Sequence, residues 1–340
     1  MIKSAVRYTA WSRIIKQTTD ELMQIKGYSN KEMSRIALGT HLGDANDEVS
    51  ASYRNAIKYA VQNGIYTIDG AINYRGMRSE KDEGIAIREL IESGIVKRED
   101  IFVTSKAGLL FGDITERMNP KMYLENILKP QGITESDFSE YDGLRQTLNP
   151  AFYEIALNKS LENLGLETLD LHYIHIPEIT RAGMDETVFY DEMEKLFAWY
   201  EGKVTENKIR NYGIALEFMG EEPEDVKWHF ELEELKRRAD IVAGGKSHLK
   251  YVIFEYNMLC PYPRSVLSQH VKGEALTLAE ACHKLGFKTV ASMPLAMGDA
   301  LKEHSLNELL EFALDGCDHI IVGSKNTDHI KELLSFLEYS

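Results

Sequence analysis

The chain has only three cysteines in 340 residues, Cys260, Cys282 and Cys317, too few and too scattered for a disulfide frame or a cysteine-rich metal site. They read as reduced thiols in the core of a cytoplasmic protein. Apolar runs are short as well. None approaches the ~20 residues needed to cross a bilayer as a helix. Positive charge is in deficit, with 39 Lys and Arg against 54 Asp and Glu and a net charge of −15. This balance argues against nucleic acid or an anionic membrane as the main partner, but leaves room for a local basic pocket that takes a phosphate. The opening stretch MIKSAVRYTAWSRIIKQTTDE has no apolar core followed by a small-residue cleavage site, so no secretory signal is expected. Its Lys and Arg content is similar to that of a transit peptide, and Asp20 and Glu21 oppose that reading. A GxGxxG turn after an early strand is missing, which counts against an open doubly wound sheet. Low-complexity stretches and domain linkers are missing too.

What is present is a rhythm. From Met33 onward, short β-rich runs alternate with helical patterns. The runs are RIALG from Arg35, IYTID from Ile65, IFVTSK from Ile101 and LDLHYIH from Leu169. Four more follow: IRNYGIAL from Ile209, KYVIFEYN from Lys250, KTVASM from Lys288 and HIIVG from His319. Between them, apolar residues recur at helical spacing, as in Tyr53, Ala56/Ile57 and Ala60/Val61 before a stop at Gly64. Met193, Leu196/Phe197, Tyr200 and Val204 repeat the pattern, as do Leu278, Cys282 and Leu285. Eight strand–helix units predict an α/β protein, a single (β/α)8 TIM barrel over 1–340, with 1–32 as an N-terminal extension. The rhythm breaks after the third strand. Residues 107–150 are rich in Gly, Pro and Asp, yet carry Leu109, Leu110, Phe111, Tyr123, Ile127, Leu128, Phe138 and Tyr141. A packed, lid-like insertion on the C-terminal face is expected, with a short helix over 120–128.

Strand parity then groups side chains by face. Ile65, Thr67 and Asp69 share one face, as do Phe102, Thr104 and Lys106, and Leu169, Leu171, Tyr173 and His175. Facing inward, Asp69, Lys106 and His175 end three successive strands at the barrel mouth, and Tyr74 follows five residues after Asp69. The same parity turns Asp170 and His172 outward. Each residue alone has an ordinary reading as a cap, a solvated cation or a packing group, but their convergence on one rim points to chemistry. A tyrosine with a pKa near ~10 is a weak acid–base group, and an adjacent ammonium favours its phenolate. Tyr74 is thus the candidate proton donor, Lys106 its tuner, Asp69 the partner of Lys106, and His175 the group that orients a substrate oxygen. Ser79, with Asp82 three residues on, is expected to cap the next helix.

These segments resemble the aldo-keto reductase family. IDGAINYRGMRSE is similar to its strand-two signature, with Gly70 where Thr is usual, and FVTSK and SLENLGLETLDLHYIHIP match the segments leading to its lysine and histidine. KIRNYGIAL and IIVGSKNTDHIKELL resemble its fifth-strand and C-terminal segments. The resemblance implies a tetrad of Asp69, Tyr74, Lys106 and His175, and hydride transfer between NADP(H) or NAD(H) and a small carbonyl or alcohol substrate. It places Gly323, Ser324, Lys325 and Asn326 at the adenosine phosphate, with Lys325 favouring NADP(H), and Ala215 and Ser292 beside the nicotinamide. Three positions depart from the family: Ala215-Leu216 replaces Ser-Asn, Ile253 replaces a glutamine, and Ser292 replaces an aromatic. With the C-terminal loop short, substrate recognition is expected to fall on 107–150 and on the loops after His175 and Leu216. A regulatory nucleotide-binding barrel and a Schiff-base aldolase using Lys106 are the alternative readings.

Overall fold

The structure is a computed structural model that describes residues 24–223 and 225–339. The segment read for leader signals, and most of the 1–32 extension, lie outside these residues. All eight predicted strands form: β1 (Ile36–Gly39), β2 (Thr67–Asp69), β3 (Phe102–Ala107), β4 (Leu169–His175), β5 (Ile209–Ala215), β6 (Leu249–Glu255), β7 (Lys288–Ser292) and β8 (His319–Gly323). They pair in parallel in chain order, and β8 closes the barrel on β1 with Gly39 opposite Gly323. The outer ring comprises α1 (Asp47–Gln62), α2 (Arg78–Glu92), α3 (Pro150–Leu164), α4 (Glu186–Thr205), α5 (Leu232–Val242), α6 (Leu278–Lys284), α7 (Leu306–Gly316) and α8 (Thr327–Tyr339).

Local chemistry explains where these elements begin. Asn46 accepts the Val49 amide at 2.9 Å to start α1, and capping boxes at Thr277/Glu280 and Ser305/Glu308 start α6 and α7. The inward stripe of α1 (Val49, Tyr53, Ala56, Ile57, Ala60, Val61) is buried, and its last four residues pack into the layer between helices and barrel. Complete burial of such side chains contributes about 1.5–3 kcal/mol each for the larger ones. A second cluster fills the barrel itself: Ala37, Phe102, Leu171, Tyr173, Tyr251, Ile253 and Val290, with Met33 packed into it. Gly213 of β5 leaves the room that the Tyr173 ring needs. A Cβ there would lie 2.7 Å from two ring carbons and 2.6 Å from the Tyr251 carbonyl oxygen.

Parity holds within the strands and fails where they start. Ile65 and Leu169 pack with the outer layer, whereas Tyr66 packs against the barrel interior. The β2 ladder begins only at Thr67, so alternation does not extend back to the two residues before it. Asp170 and His172 do face outward; Asp170 is satisfied, and His172 is paired through Nδ1 while its buried Nε2 has no partner among the described residues. Asp170 accepts from Arg98 (2.8 Å), from the Val103 amide (2.8 Å) and from the Ser29 amide, and His172 Nδ1 pairs with the Tyr200 hydroxyl at 2.8 Å.

The 107–150 insertion is ordered by its own aromatic contacts. Phe111 stacks at 5.0 Å from Tyr123 and 5.4 Å from Phe152 of α3. Its helix covers Pro120–Tyr123 and continues as a π-turn over Leu124–Leu128. A hairpin (Ser139–Tyr141 with Leu144–Gln146) turns on Asp142-Gly143, both at positive φ as a two-residue hairpin turn requires. A second hairpin, Leu267–Val271 with Glu274–Thr277, interrupts the β6–α6 connection on Lys272-Gly273. Among the described residues no helix is long and apolar enough to cross a membrane, and the three cysteines are buried and free.

Candidate active site

Asp69 and His175 end β2 and β4 and Lys106 is the penultimate residue of β3, so consecutive parallel strands bring them to one arc of the barrel rim. The Lys106 ammonium donates to Asp69 Oδ2 at 2.6 Å and to the Gly70 carbonyl at 2.9 Å. The other carboxylate oxygen of Asp69 accepts from Thr104 at 2.7 Å. Both members of the ion pair are buried, 2% exposed each. That leaves Asp69 fully satisfied, as a buried charge requires. Tyr74 is half-buried, with Lys106 Nζ 4.9 Å from its ring centroid and the His175 ring 6.0 Å away, edge-on. All four predicted residues therefore meet.

The loop that presents Tyr74 is strained. Arg75, Gly76 and Met77 follow it at φ 49, 60 and 68°, and each non-glycine in that region costs on the order of 1 kcal/mol or more. Arg75 offsets this cost. Its buried guanidinium donates to Asp82 Oδ2 (3.0 Å), to Ser50 Oγ (3.0 Å) and to the Asp44 carbonyl (3.2 Å). Asp82 is thus occupied by Arg75 and Arg54, and Ser79 Oγ donates to the Thr40 carbonyl. The expected cap by Ser79 does not form, because α2 starts two residues earlier than such a cap would set, with the left-handed Met77 in the cap position.

The electrostatics separate the groups. Burial pushes the Tyr74 phenol above its ordinary value, and Lys106 pulls it back only in part. The sequence-based expectation of a lowered phenol is therefore corrected. The ammonium reduces the cost of losing the proton, but desolvation wins, and Tyr74 stays protonated at neutral pH. Burial also works against the charged form of Lys106, and Asp69 and Tyr74 more than offset it, so the lysine stays charged. His175 is held well below its usual value by burial and then by Lys106, which makes it neutral, with Nδ1 unpartnered among the described residues.

The positions expected to meet a cofactor fall at the other side of the rim. Gly323 is exposed at the end of β8, and Asn326 Oδ1 accepts the Asp328 amide at 2.9 Å in the first turn of α8. The Ser324 hydroxyl accepts the Asn326 amide at 3.1 Å, which folds this loop back on itself. Lys325 reaches towards the β1 loop, where a Cβ on Gly43 would meet its Nζ at 2.9 Å. Ala215 lies opposite both His175 and Ile253 in the ladder, and both alkyl side chains line the barrel interior. Ser292, half-buried, ends β7 opposite Glu255.

The model of the Aldo/keto reductase family matches residues 35–309, which include every strand from β1 to β7 and all four rim residues. The chain belongs to the aldo-keto reductase family. Its relatives include an NAD(P)H-dependent D-xylose reductase of Candida tropicalis, 26% identical over 58% of this chain and 52% of that protein. An aldo-keto reductase family 1 member C23-like protein of Equus caballus is 35% identical over 41% of this chain and 31% of its own length. The chain thus spans about a third to a half of the length of these relatives. Among solved structures, a holo-form aldo-keto reductase of Bacillus halodurans is similar over 93% of this chain and 92% of its own, with a TM-score of 0.61 and 19% identity. An NADPH complex of a silkworm (Bombyx mori) aldo-keto reductase covers 92% of this chain and 83% of its own at a TM-score of 0.57 and 19% identity. These likenesses carry the fold.

Within the aldo-keto reductase frame, the sequence reading missed His41 and Glu217. His41, in the β1 loop, places its ring 4.7 Å from that of Tyr74. Glu217, after β5, has its carboxyl raised by burial and by Glu255, and is close enough to influence Tyr74. Neither has a spacing signal, since loop residues meet only through the closed barrel. The departure at Gly70 has a physical reason. A Cβ at Gly70 would lie 2.6 and 2.8 Å from the two carboxyl oxygens of Glu83, which is fully buried and cannot swing aside. We expect Gly70→Ala to destabilise the protein by about 1–3 kcal/mol through overpacking, and Glu83→Ala to relieve most of that cost in the double variant. Urea midpoints of the four proteins measure it; an additive double variant would disprove the steric pairing.

Proposed function

We propose that this aldo-keto reductase is an NADP(H)-dependent oxidoreductase that interconverts a small carbonyl compound and its alcohol. The observation that carries the reading is the rim arrangement, in which a charged, buried Lys106 held by Asp69 lies against a protonated Tyr74. The β8 loop is suited to the phosphate end of a dinucleotide. Gly323 lets backbone approach closely, Lys325 supplies a cation, and the first turn of α8 supplies a positive helix end. At the mouth, Ala215 and Ile253 offer an alkyl wall and Ser292 a hydroxyl. A bound nicotinamide would supply the hydride.

The chain's own residues handle the proton. His175 is neutral, and with its Nδ1 buried it is suited to hydrogen-bond the substrate oxygen through Nε2. Tyr74 gives its phenolic proton to that oxygen as charge builds there, and Lys106 stabilises the phenolate left behind. In the opposite direction the phenolate takes the alcohol proton. The insertion supports a role as a substrate wall. Gly76, in the Tyr74 loop, packs against Ile114, and Tyr141 of the hairpin packs edge-on against Phe218 and Trp228 of the β5 loop at 5.4 and 4.6 Å. The three buried free thiols fit the cytoplasm.

The test is fluorescence titration with NADPH and NADH together with a panel of aldehydes and ketones. We expect NADPH to bind at least tenfold tighter than NADH, with Lys325→Ala removing most of the difference, as loss of one exposed phosphate contact of about 1–2 kcal/mol would do. Turnover of at least one carbonyl is expected. Tight binding with no turnover anywhere in the panel would favour the regulatory reading. Reductive trapping of Lys106 with a carbonyl substrate would favour the aldolase.

A further inference from the structure

Glu83 is a buried acid for which the reaction above has no use. It projects from α2 into the space that Gly70 leaves beside the Asp69–Lys106 pair. It is fully buried, its Oε1 accepts from Thr40 Oγ1 at 2.7 Å, and its Oε2 has no partner among the described residues. The same Thr40 hydroxyl lies 3.1 Å from the Asp69 carbonyl, and Gly70, whose Cα the Glu83 carboxyl packs over, gives its carbonyl to the Lys106 ammonium. Glu83 therefore touches the peptide that seats Lys106 without touching the reacting groups.

Resting on the functional reading above, we propose that Glu83 is a positioning residue that acts on Tyr74 through Lys106: as a neutral acid it supports the pair, and as a carboxylate it holds the ammonium back from the phenol. The titratable and charged groups that face it are Glu80 on its own helix, Asp69 on β2, Lys106 on β3 and Tyr53 on α1. Burial raises its carboxyl to about 8, with Thr40 and Lys106 opposing and Glu80 and Asp69 adding to the rise. The sign follows. Below that value the site holds one buried carboxylate, Asp69, matched by one ammonium. As pH rises through it a second negative charge appears beside Lys106, the ammonium is bound more tightly to carboxylates, and the phenolate that Tyr74 must become is less well stabilised. Carbonyl reduction should slow there, well below the ionisation of Tyr74 itself.

The experiment has one arm that needs no turnover. In protein carrying carbon-13 at the tyrosine ring carbon that bears the hydroxyl and at the glutamate carboxyls, the Tyr74 signal is identified by its loss in Tyr74→Phe, and the Glu83 signal by its loss in Glu83→Gln. Scanned from about pH 6 to about pH 10, we expect the Glu83 signal to titrate near the value above and the Tyr74 signal to inflect at the same pH. The second arm follows kcat for carbonyl reduction over the same range. Its alkaline limb should be lost in Glu83→Gln and kept in Glu178→Gln, which removes the other buried acid raised to about 8. A Tyr74 signal with no inflection in the unaltered protein, or a limb that persists in Glu83→Gln, overturns the proposal. Absence of all turnover with the inflection intact would instead overturn the functional reading and leave the coupling standing.

Discussion

Tyr74→Phe is expected to lower kcat/KM for carbonyl reduction by roughly 10²–10⁴-fold while NADPH affinity stays within about twofold, because it removes a proton donor and little else. The phenyl ring keeps its packing against the His41 ring at 4.7 Å and beneath the Lys106 ammonium at 4.9 Å. Lys106 keeps Asp69 and the Gly70 carbonyl, so no buried charge loses its partner. Altering Lys106 would confuse the result. Lys106→Met strands Asp69 in a buried site, and breaking such a pair costs about 3–5 kcal/mol, so lost turnover could reflect lost fold. The measurement is steady-state kinetics beside a cofactor titration. Retained turnover in Tyr74→Phe would remove Tyr74 from the reaction and pass the proton to another rim group, Lys106, His175 or His41.

The second large effect is on stability. Asp170→Ala should cost about 3–5 kcal/mol, since it leaves the buried Arg98 guanidinium and two backbone amides without their shared acceptor. Asp170 is fully buried and Arg98 is 5% exposed. Arg98 also donates to the Thr168 carbonyl at 3.1 Å, so it is fixed in place and cannot turn to solvent. One carboxylate thus joins the segment entering the barrel at Ser29, the start of β3 at Val103 and the turn before it. Asp170→Asn, which keeps one acceptor oxygen, should cost less. Asp170 and His175 stand five residues apart on one strand, about 16 Å, so the properly folded fraction should keep its cofactor affinity. Chemical denaturation of the two variants checks the order, and equal stability of Asp170→Ala and the unaltered protein would show that the cluster is not a stabilising junction.

Much of this was legible in the sequence because it depends on local periodicity. The eight strands, α1 ending before Gly64 and the ordered insertion follow from spacing two, spacing 3.6 and turn chemistry. The hairpin at Asp142-Gly143 is legible as well, since that dipeptide favours two consecutive positive φ values. Ser79 shows the limit of such local rules. Its place before a helix favours a cap, but α2 already starts at Arg78 from the left-handed Met77, and the Ser79 hydroxyl donates to the Thr40 carbonyl instead. His41 and Glu217 lie far from Tyr74 in sequence, and only barrel closure brings their loops to it.

By itself, then, the sequence determined the repeating units, the inward face of each strand, and hence that Asp69, Lys106 and His175 lie at the ends of neighbouring strands beside the Tyr74 loop. Alternation and parallel order carry those facts in any closed barrel. What the tertiary structure decided is the energy of the groups placed there. Whether Lys106 lowers Tyr74 or desolvation raises it, whether Glu83 is an acid or a carboxylate, and why position 70 has no side chain all depend on what surrounds each group on every side. Desolvation and steric fit are properties of that full enclosure, and a linear pattern does not contain them.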